Sequence, residues 1–198
     1  MKYKWIPNLL TSSRILLVPV FLYCLFTDFS HGKFLALIVF VSAAITDAYD
    51  GKIARNYDIE STFGVFFDPL ADKLLVLSAF YGFMFLPVLS TTVKLWMIIL
   101  ISFRDILVTL MRMLMQYKGV TMITSKVGKL KTFLQITTIN IILIYLILTS
   151  YKVDIPSDIL QYNSLYFLMV ITTMITLYTG IHYVYYNYKT LGNLFFNK

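Results

Sequence analysis

Six long apolar blocks divide the sequence, and this feature most limits what the chain can fold into. The blocks cover residues of about 9–27, 34–54, 65–88, 92–116, 127–149 and 160–187. A membrane-spanning helix needs roughly 20 mostly apolar residues, so each block is long enough for one span. Hydrophobic residues make up 59% of the 198 and charged residues 14%, against roughly 25% charged in an average soluble domain. The sequence therefore predicts an all-α membrane protein with six transmembrane helices, folded as one domain over residues 1–198.

The residues before the first block predict an N-terminal interfacial segment. Tyr3 and Trp5 lie among lysines, and Pro7 is interpreted as a break before the first span. Aromatic and basic residues are common at the depth of lipid headgroups. Polar residues interrupt the start of the block, and no small-residue cleavage site follows its end near Phe26. The block is therefore predicted to be a retained span rather than a cleaved signal.

The net charge of +7 is explained by its distribution. With six spans, most lysines and arginines collect at one face of the membrane, whereas Lys33, Lys94 and Lys152 lie at the other. Basic residues concentrate on the cytoplasmic side, so both termini are predicted to be cytoplasmic. Attraction to anionic headgroups accounts for the same charge. No nucleic-acid partner is expected.

Four aspartates lie inside or beside apolar blocks, where ionisable side chains are costly and usually functional. Asp47 and Asp50 are three apart near the end of the second block, and Asp68 and Asp72 are four apart near the start of the third. Each pair therefore shares one helix face, at the same cytoplasmic end. Four unpaired anions would repel, which predicts divalent cations between them, Mg²⁺ or Mn²⁺ by ligand type. Two such ions would suit in-line displacement at phosphorus.

Small residues accompany these carboxylates, namely Gly51, Ala54 and Gly64. One interpretation is close contact between helices, which small residues allow in membranes. The other is room for a flat nucleotide beside the backbone. The spacing alone leaves both open.

Together these residues carry a resemblance to a known family. Eight positions resemble the complete signature of the CDP-alcohol phosphotransferases: Asp47, Asp50, Gly51, Ala54, Arg55, Gly64, Asp68 and Asp72. The runs 6–14, 68–73 and 128–132 resemble the phosphatidylglycerophosphate synthase branch, so the resemblance extends to about residue 135. That branch often has Arg-Glu in the fourth span, where this chain has Arg104-Asp105. Arg-Asp also occurs in the related cardiolipin synthases.

The resemblance implies transfer of a phosphatidyl group from CDP-diacylglycerol to glycerol 3-phosphate. Asp47, Asp50, Asp68 and Asp72 would hold the metal ions, and Asp72 would also take the proton of the acceptor's hydroxyl. The implied CDP-diacylglycerol site is lined by Thr11, Ser12, Asp50, Gly51, Ala54, Arg55, Ser61 and Gly64. The active site would face the cytoplasm from a bacterial inner membrane, with a mitochondrial inner membrane as the alternative. A homodimer is compatible with this pattern.

A second basic group lies at the cytoplasmic side of the fourth and fifth blocks. Arg112, Lys129 and Lys131 either follow the positive-inside rule or bind the acceptor's phosphate, and we favour the phosphate. Asp105, Thr109 and Arg112 share one face of the fourth helix by their spacing, whereas Lys129 and Lys131 should diverge because they are two apart. The phosphatidylglycerophosphate synthases resemble this chain in having both lysines, whereas the cardiolipin synthases keep the first.

Three alternative functions differ from this prediction. A cardiolipin synthase would use phosphatidylglycerol as the acceptor, and serine or inositol is a less favoured acceptor. A transporter with an intramembrane cation site would also explain clustered carboxylates. The glycines and Arg55 between the carboxylates have no role in conduction, so the transporter is disfavoured. Release of CMP by the purified protein would distinguish such an enzyme from a transporter, and the lipid product would identify the acceptor.

Overall fold

The structure is a computed structural model that is all-helical over the residues it describes, with no strand among them. It describes residues 6–29, 31–57, 62–118, 126–153 and 162–196. Within these ranges, side chains are described for 15–29, 31–46, 73–118, 128–153 and 164–188.

Each predicted apolar block corresponds to one α-helix. The helices are α1 (Ile6–Phe26), α2 (Gly32–Tyr57), α3 (Thr62–Phe85), α4 (Leu95–Tyr117), α5 (Lys126–Ser150) and α6 (Tyr162–Phe196). A short 3-10 helix, Pro87–Leu89, lies between α3 and α4. The interpretation of Pro7 as a break is wrong, because α1 already begins at Ile6. Proline is tolerated in the first turn of a helix, where its missing N–H has no partner to lose. Residues 1–5 of the predicted interfacial segment lie outside the described residues.

Two side chains, Lys33 and His31, hold the connection between α1 and α2 in place. The Lys33 ammonium donates hydrogen bonds to the carbonyl oxygens of Leu25, at 2.5 Å, and of Thr27, at 3.0 Å. These bonds satisfy carbonyl groups that the end of α1 leaves without helical partners. The His31 imidazole is hydrogen-bonded to the Tyr151 hydroxyl just after α5. The α1–α2 connection and the end of α5 therefore lie at the same end of the bundle.

The helices pack as two groups, which are joined by α5 and by a direct contact between α3 and α4. Helix α1 packs against α2 and α3, while α4 packs against α6. Helix α5 contacts α2, α3 and α6, so it lies between the groups. The buried core includes Phe21, Phe40 and Phe80. A Cβ added at Gly82 would lie 2.7 Å from Cδ2 of Leu25, so glycine permits the close approach of α1 and α3.

Two helical segments are long and apolar enough to cross a membrane, 128–150 in α5 and 164–188 in α6. In the most apolar 18-residue stretch of each segment, only 33% of α5 and 39% of α6 is buried inside the protein. Large apolar side chains of these segments, such as Phe133 and Ile181, face outward instead. A soluble protein would bury most of such helices, whereas lipid accepts this surface. Shorter apolar stretches are described at Ile15–Phe26, Gly32–Thr46 and Lys73–Phe85.

Candidate active site

The aspartate motif lies on two helices that a short connection joins. Asp47 and Asp50 are in the C-terminal part of α2, and Asp68 and Asp72 are in the N-terminal part of α3. Five residue steps separate the end of α2 at residue 57 from the start of α3 at 62, which allows at most about 18 Å. The two halves of the motif therefore flank one connection.

The side chains of this motif lie outside the described part of the structure. The same is true of the other predicted donor-site side chains in α1, α2 and α3: Thr11, Ser12, Gly51, Ala54, Arg55 and Gly64. Ser61 lies wholly outside the described residues. Among the described side chains, no group of three or more His, Cys, Asp or Glu residues could hold a metal ion. The four aspartates are still only the predicted donor set, which rests on the preference of Mg²⁺ and Mn²⁺ for carboxylate oxygens.

A buried ionic cluster centred on Asp105 joins α4 to α5. The Asp105 side chain is fully buried, and its Oδ2 accepts a hydrogen bond from the Lys131 ammonium at 2.5 Å. Its Oδ1 accepts one from the Arg104 guanidinium at 3.2 Å. The Gln135 amide lies 3.4 Å from Oδ2. We call Arg104, Asp105, Lys131 and Gln135 the Asp105 cluster.

The local sequence explains how two apolar helices present these polar groups. Lys131, Gln135 and Thr138 are four and three residues apart, so they share one face of α5. The Thr138 and Thr172 hydroxyls are hydrogen-bonded at 2.7 Å, which continues the polar face into α6. On α4, the Thr109 hydroxyl donates to the Asp105 carbonyl oxygen at 2.7 Å. The polar residues therefore face the bundle interior, where polar groups of membrane helices find partners.

The Arg104 side chain packs against the backbone of α6. A Cβ added at Gly180 would lie 2.7 Å from Cγ of Arg104, closer than real contacts allow. Glycine is therefore what lets the arginine stem lie there. Arg104 is nine-tenths buried, and its Nε has no hydrogen-bond partner among the described residues.

Comparison with known proteins identifies the family. The model of the CDP-alcohol phosphatidyltransferase family matches residues 4–182. The chain belongs to this family. A Mycobacterium tuberculosis protein named probable phosphatidylglycerophosphate synthase is 34% identical over 190 residues, covering 94% of this chain and 83% of that protein.

Two further relatives carry the name CDP-diacylglycerol–glycerol-3-phosphate 3-phosphatidyltransferase. The Rickettsia typhi protein is 37% identical over 142 residues, covering 71% of this chain and 77% of its own length. The Bacillus subtilis protein is 28% identical over 198 residues, covering 94% of this chain and 96% of its own length. No solved structure matches the chain. The family and the apolar helices together indicate a membrane protein.

The three predicted acceptor residues occupy different environments in this family member. Lys131 is buried in the Asp105 cluster and Lys129 is exposed, which is the divergence that their spacing predicts. Arg112 is exposed and hydrogen-bonds the Tyr183 hydroxyl on α6. Lys131 also lies close enough to Lys73 for the two charges to repel. Because Lys73 directly follows Asp72, the cluster lies beside the helix that carries half of the aspartate motif.

Arg104 and Gln135 are not among the site residues predicted from the sequence. In the sequence, Arg104 is only part of a departure from the family pattern, and Asp105 shares a helix face with Thr109 and Arg112 but has no predicted partner. A signal was available, because an arginine and an aspartate inside an apolar block are costly and usually paired. Gln135 carried a weaker signal, since uncharged polar residues are common in membrane helices.

Proposed function

We propose that this protein transfers the phosphatidyl group of CDP-diacylglycerol to glycerol 3-phosphate, giving phosphatidylglycerophosphate and CMP. The observation that carries the proposal is the position of the Asp105 cluster, whose Lys131 lies near Lys73, the residue after Asp72. Cations that could bind the acceptor's phosphate therefore lie next to α3, the helix that carries the proposed base Asp72. The family match and the names of the relatives support the same reaction.

The four aspartates are proposed to hold two divalent ions, Mg²⁺ or Mn²⁺. The family generally uses divalent metals. Bound there, such ions would supply charge neutralisation of the diphosphate and of the departing CMP. Asp47 and Asp50 on α2 and Asp68 and Asp72 on α3 would provide the oxygen ligands.

Asp72 is proposed to take the proton from the hydroxyl of glycerol 3-phosphate as it attacks the lipid-side phosphorus. A new bond forms between that oxygen and phosphorus while the bond to the CMP oxygen breaks, so CMP leaves with its phosphate. A carboxylate can act as this base when it lies within hydrogen-bond reach of the hydroxyl.

The donor is proposed to bind along α1 and the motif region of α2 and α3. The residues assigned to CDP-diacylglycerol are Thr11, Ser12, Asp50, Gly51, Ala54, Arg55, Ser61 and Gly64. In this assignment the small residues leave room for the nucleotide, and Arg55 offsets charge of the diphosphate. The packing of α1 against both α2 and α3 supports it, because one pocket could then draw on all three helices.

The acceptor's phosphate is proposed to bind Arg112, Lys129 and Lys131. A phosphate monoester carries nearly two negative charges at neutral pH, so several cations should share it. Lys131 is buried, and a charged hydrogen bond to phosphate in such an interior is stronger than one in water. Lys129 and Arg112 are exposed and could meet the ligand from the solvent side.

All six helices are proposed to cross a bacterial inner membrane as one domain, with both termini and the active site at the cytoplasm. The distribution of basic residues supports this orientation. A homodimer is compatible with the outward-facing apolar surface of α6, at residues such as Met174 and Tyr178. Cross-linking the protein in native membranes, with labelling from each side, tests both the assembly and the orientation.

Lipid product analysis tests the proposed reaction. Purified protein in detergent micelles receives CDP-diacylglycerol, Mg²⁺ and one acceptor at a time: glycerol 3-phosphate, phosphatidylglycerol, serine or inositol. We expect CMP and phosphatidylglycerophosphate only with glycerol 3-phosphate. Cardiolipin formed from phosphatidylglycerol, with no turnover of glycerol 3-phosphate, would reassign the acceptor. Absence of CMP with every acceptor would reject the enzymatic proposal.

A further inference from the structure

The Asp105 cluster holds more positive than negative charge in a buried place. Among the described side chains, Asp28 and Asp105 are the only carboxylates, and Asp28 lies in the connection between α1 and α2. Arg104 and Lys131 both contact Asp105. Arg112 lies close enough to Arg104 for their charges to repel, and the same holds for Lys73 and Lys131. Like charges in a low-dielectric interior are costly unless an anion accompanies them.

The cluster also offers more hydrogen-bond donors than acceptors. An ammonium has three N–H donors and a guanidinium five, whereas the Asp105 carboxylate has two oxygens. Those oxygens already accept bonds from Lys131 and Arg104 and face Gln135. The Arg104 Nε has no partner among the described residues although it is buried. A ligand with several anionic oxygens would supply the missing acceptors.

We propose that Asp105 is a positioning residue, which holds Arg104 and Lys131 together as a two-cation binding site for the phosphate monoester of the acceptor. This inference rests on the proposed function and adds Asp105 and Arg104 to its site. Asp105 touches neither the donor nor the reacting atoms in this scheme. It binds each cation through a different oxygen, at 3.2 Å and 2.5 Å, and so keeps the two cations side by side.

Gly180 on α6 provides the space that the Arg104 side chain occupies in this two-cation site. Because the Arg104 stem lies against this glycine, an alanine there would displace the Arg104 side chain while leaving all charges unchanged. Position and charge can therefore be perturbed separately in this cluster.

The first experiment changes the carboxylate. In Asp105→Asn we expect the KM for glycerol 3-phosphate to rise by about 10-fold or more, because the cations lose the anion that aligns them. The KM for CDP-diacylglycerol should not change. Asp105→Glu should restore most of the acceptor affinity, since it keeps the charge. If Asp105 only offsets charge, its neutralisation should lower the KM for the anionic acceptor. A lowered or unaltered acceptor KM in folded Asp105→Asn would overturn the proposal.

The second experiment changes position alone, and it stands even if Asp105→Asn fails to fold. In Gly180→Ala the new Cβ must displace Arg104, so we expect the acceptor KM to rise by about 10-fold or more. Gly82→Ala is the matched control, because its Cβ would meet Leu25 at the same 2.7 Å far from the cluster. The control should leave the ratio of acceptor KM to donor KM unchanged. Equal ratios of acceptor KM to donor KM in the two alanine variants would refute the proposed two-cation site.

The wild-type protein separates this inference from the proposed function. Failure of wild-type protein to use glycerol 3-phosphate would reject the function itself. Normal wild-type turnover, together with variants whose acceptor KM is unaltered, would leave the function standing and reject the positioning role.

Discussion

Replacement of Lys131 by asparagine tests the acceptor site most directly. The ammonium is 1% exposed and lies 2.5 Å from Asp105, so the substitution removes a buried cation rather than a solvated one. The shorter, neutral asparagine can neither reach the same place nor carry the charge. The change therefore acts on the acceptor and on Asp105 at once.

Two magnitudes follow from this geometry. A charged hydrogen bond to phosphate contributes about 1.5–3 kcal/mol, so the KM for glycerol 3-phosphate should rise by about 10- to 150-fold. Breaking a buried ion pair can cost about 3–5 kcal/mol of stability. Asp105 still keeps Arg104 at 3.2 Å and Gln135 at 3.4 Å, so we expect a loss of only about 1–3 kcal/mol. The melting temperature should fall by several degrees.

The assay measures CMP release by purified protein in micelles. Glycerol 3-phosphate is varied at saturating CDP-diacylglycerol, and the donor is then varied at saturating acceptor. Lys118→Asn is the matched control, because it removes one lysine charge from an exposed position just after α4. We expect it to leave both KM values near those of the wild type. An unaltered acceptor KM in a folded Lys131→Asn protein would remove Lys131 from the acceptor site. Equal rises in both KM values would indicate general disruption instead.

Three further predictions concern the metal site, the base and the packing. Asp68→Asn should lower turnover by on the order of 10³-fold or more through the loss of a metal ligand, and full activity of the wild type in excess chelator would contradict this. Asp72→Asn should keep the affinity for CDP-diacylglycerol while turnover collapses, and a large loss of donor affinity, measured by equilibrium binding, would reassign Asp72 to ligation alone. Thr138→Val should lower the free energy of unfolding by about 0.5–1 kcal/mol, because the 2.7 Å hydrogen bond to Thr172 is lost. Both KM values should stay unchanged. A stability equal to that of the wild type in thermal melts would show that this hydrogen bond is dispensable.

The helices could be predicted from the sequence because each depends on local information. An apolar block near the length of a span must satisfy its own backbone hydrogen bonds, and a helix does so within one segment. The divergence of Lys129 and Lys131 was predictable for the same reason, since helical geometry fixes the angle between residues two apart. The prediction of a break at Pro7 was wrong because proline is unfavourable mainly in a helix interior and fits the first turn.

The partners of Asp105 could not be predicted in this way. Lys131 is 26 residues away and Gln135 is 30, on a different helix, so no helical period relates them to Asp105. Their meeting depends on how α5 is rotated and where it lies between the two groups of helices. The contact between Arg104 and Gly180 is hidden for the same reason, because a glycine in a sequence shows nothing of what packs against it.

The Asp105 cluster is hard to explain as a device for stability. A buried ion pair can often be replaced by apolar residues without loss, because desolvation offsets the attraction between the charges. An extra cation adds repulsion, and the unpartnered Nε of Arg104 adds the cost of an unmade hydrogen bond. These costs are offset when a dianionic ligand binds, since it supplies both the charge and the acceptor atoms. Arg104, Asp105 and Lys131 are therefore better explained by ligand binding than by folding, and their site lies beside the helix that carries Asp68 and Asp72.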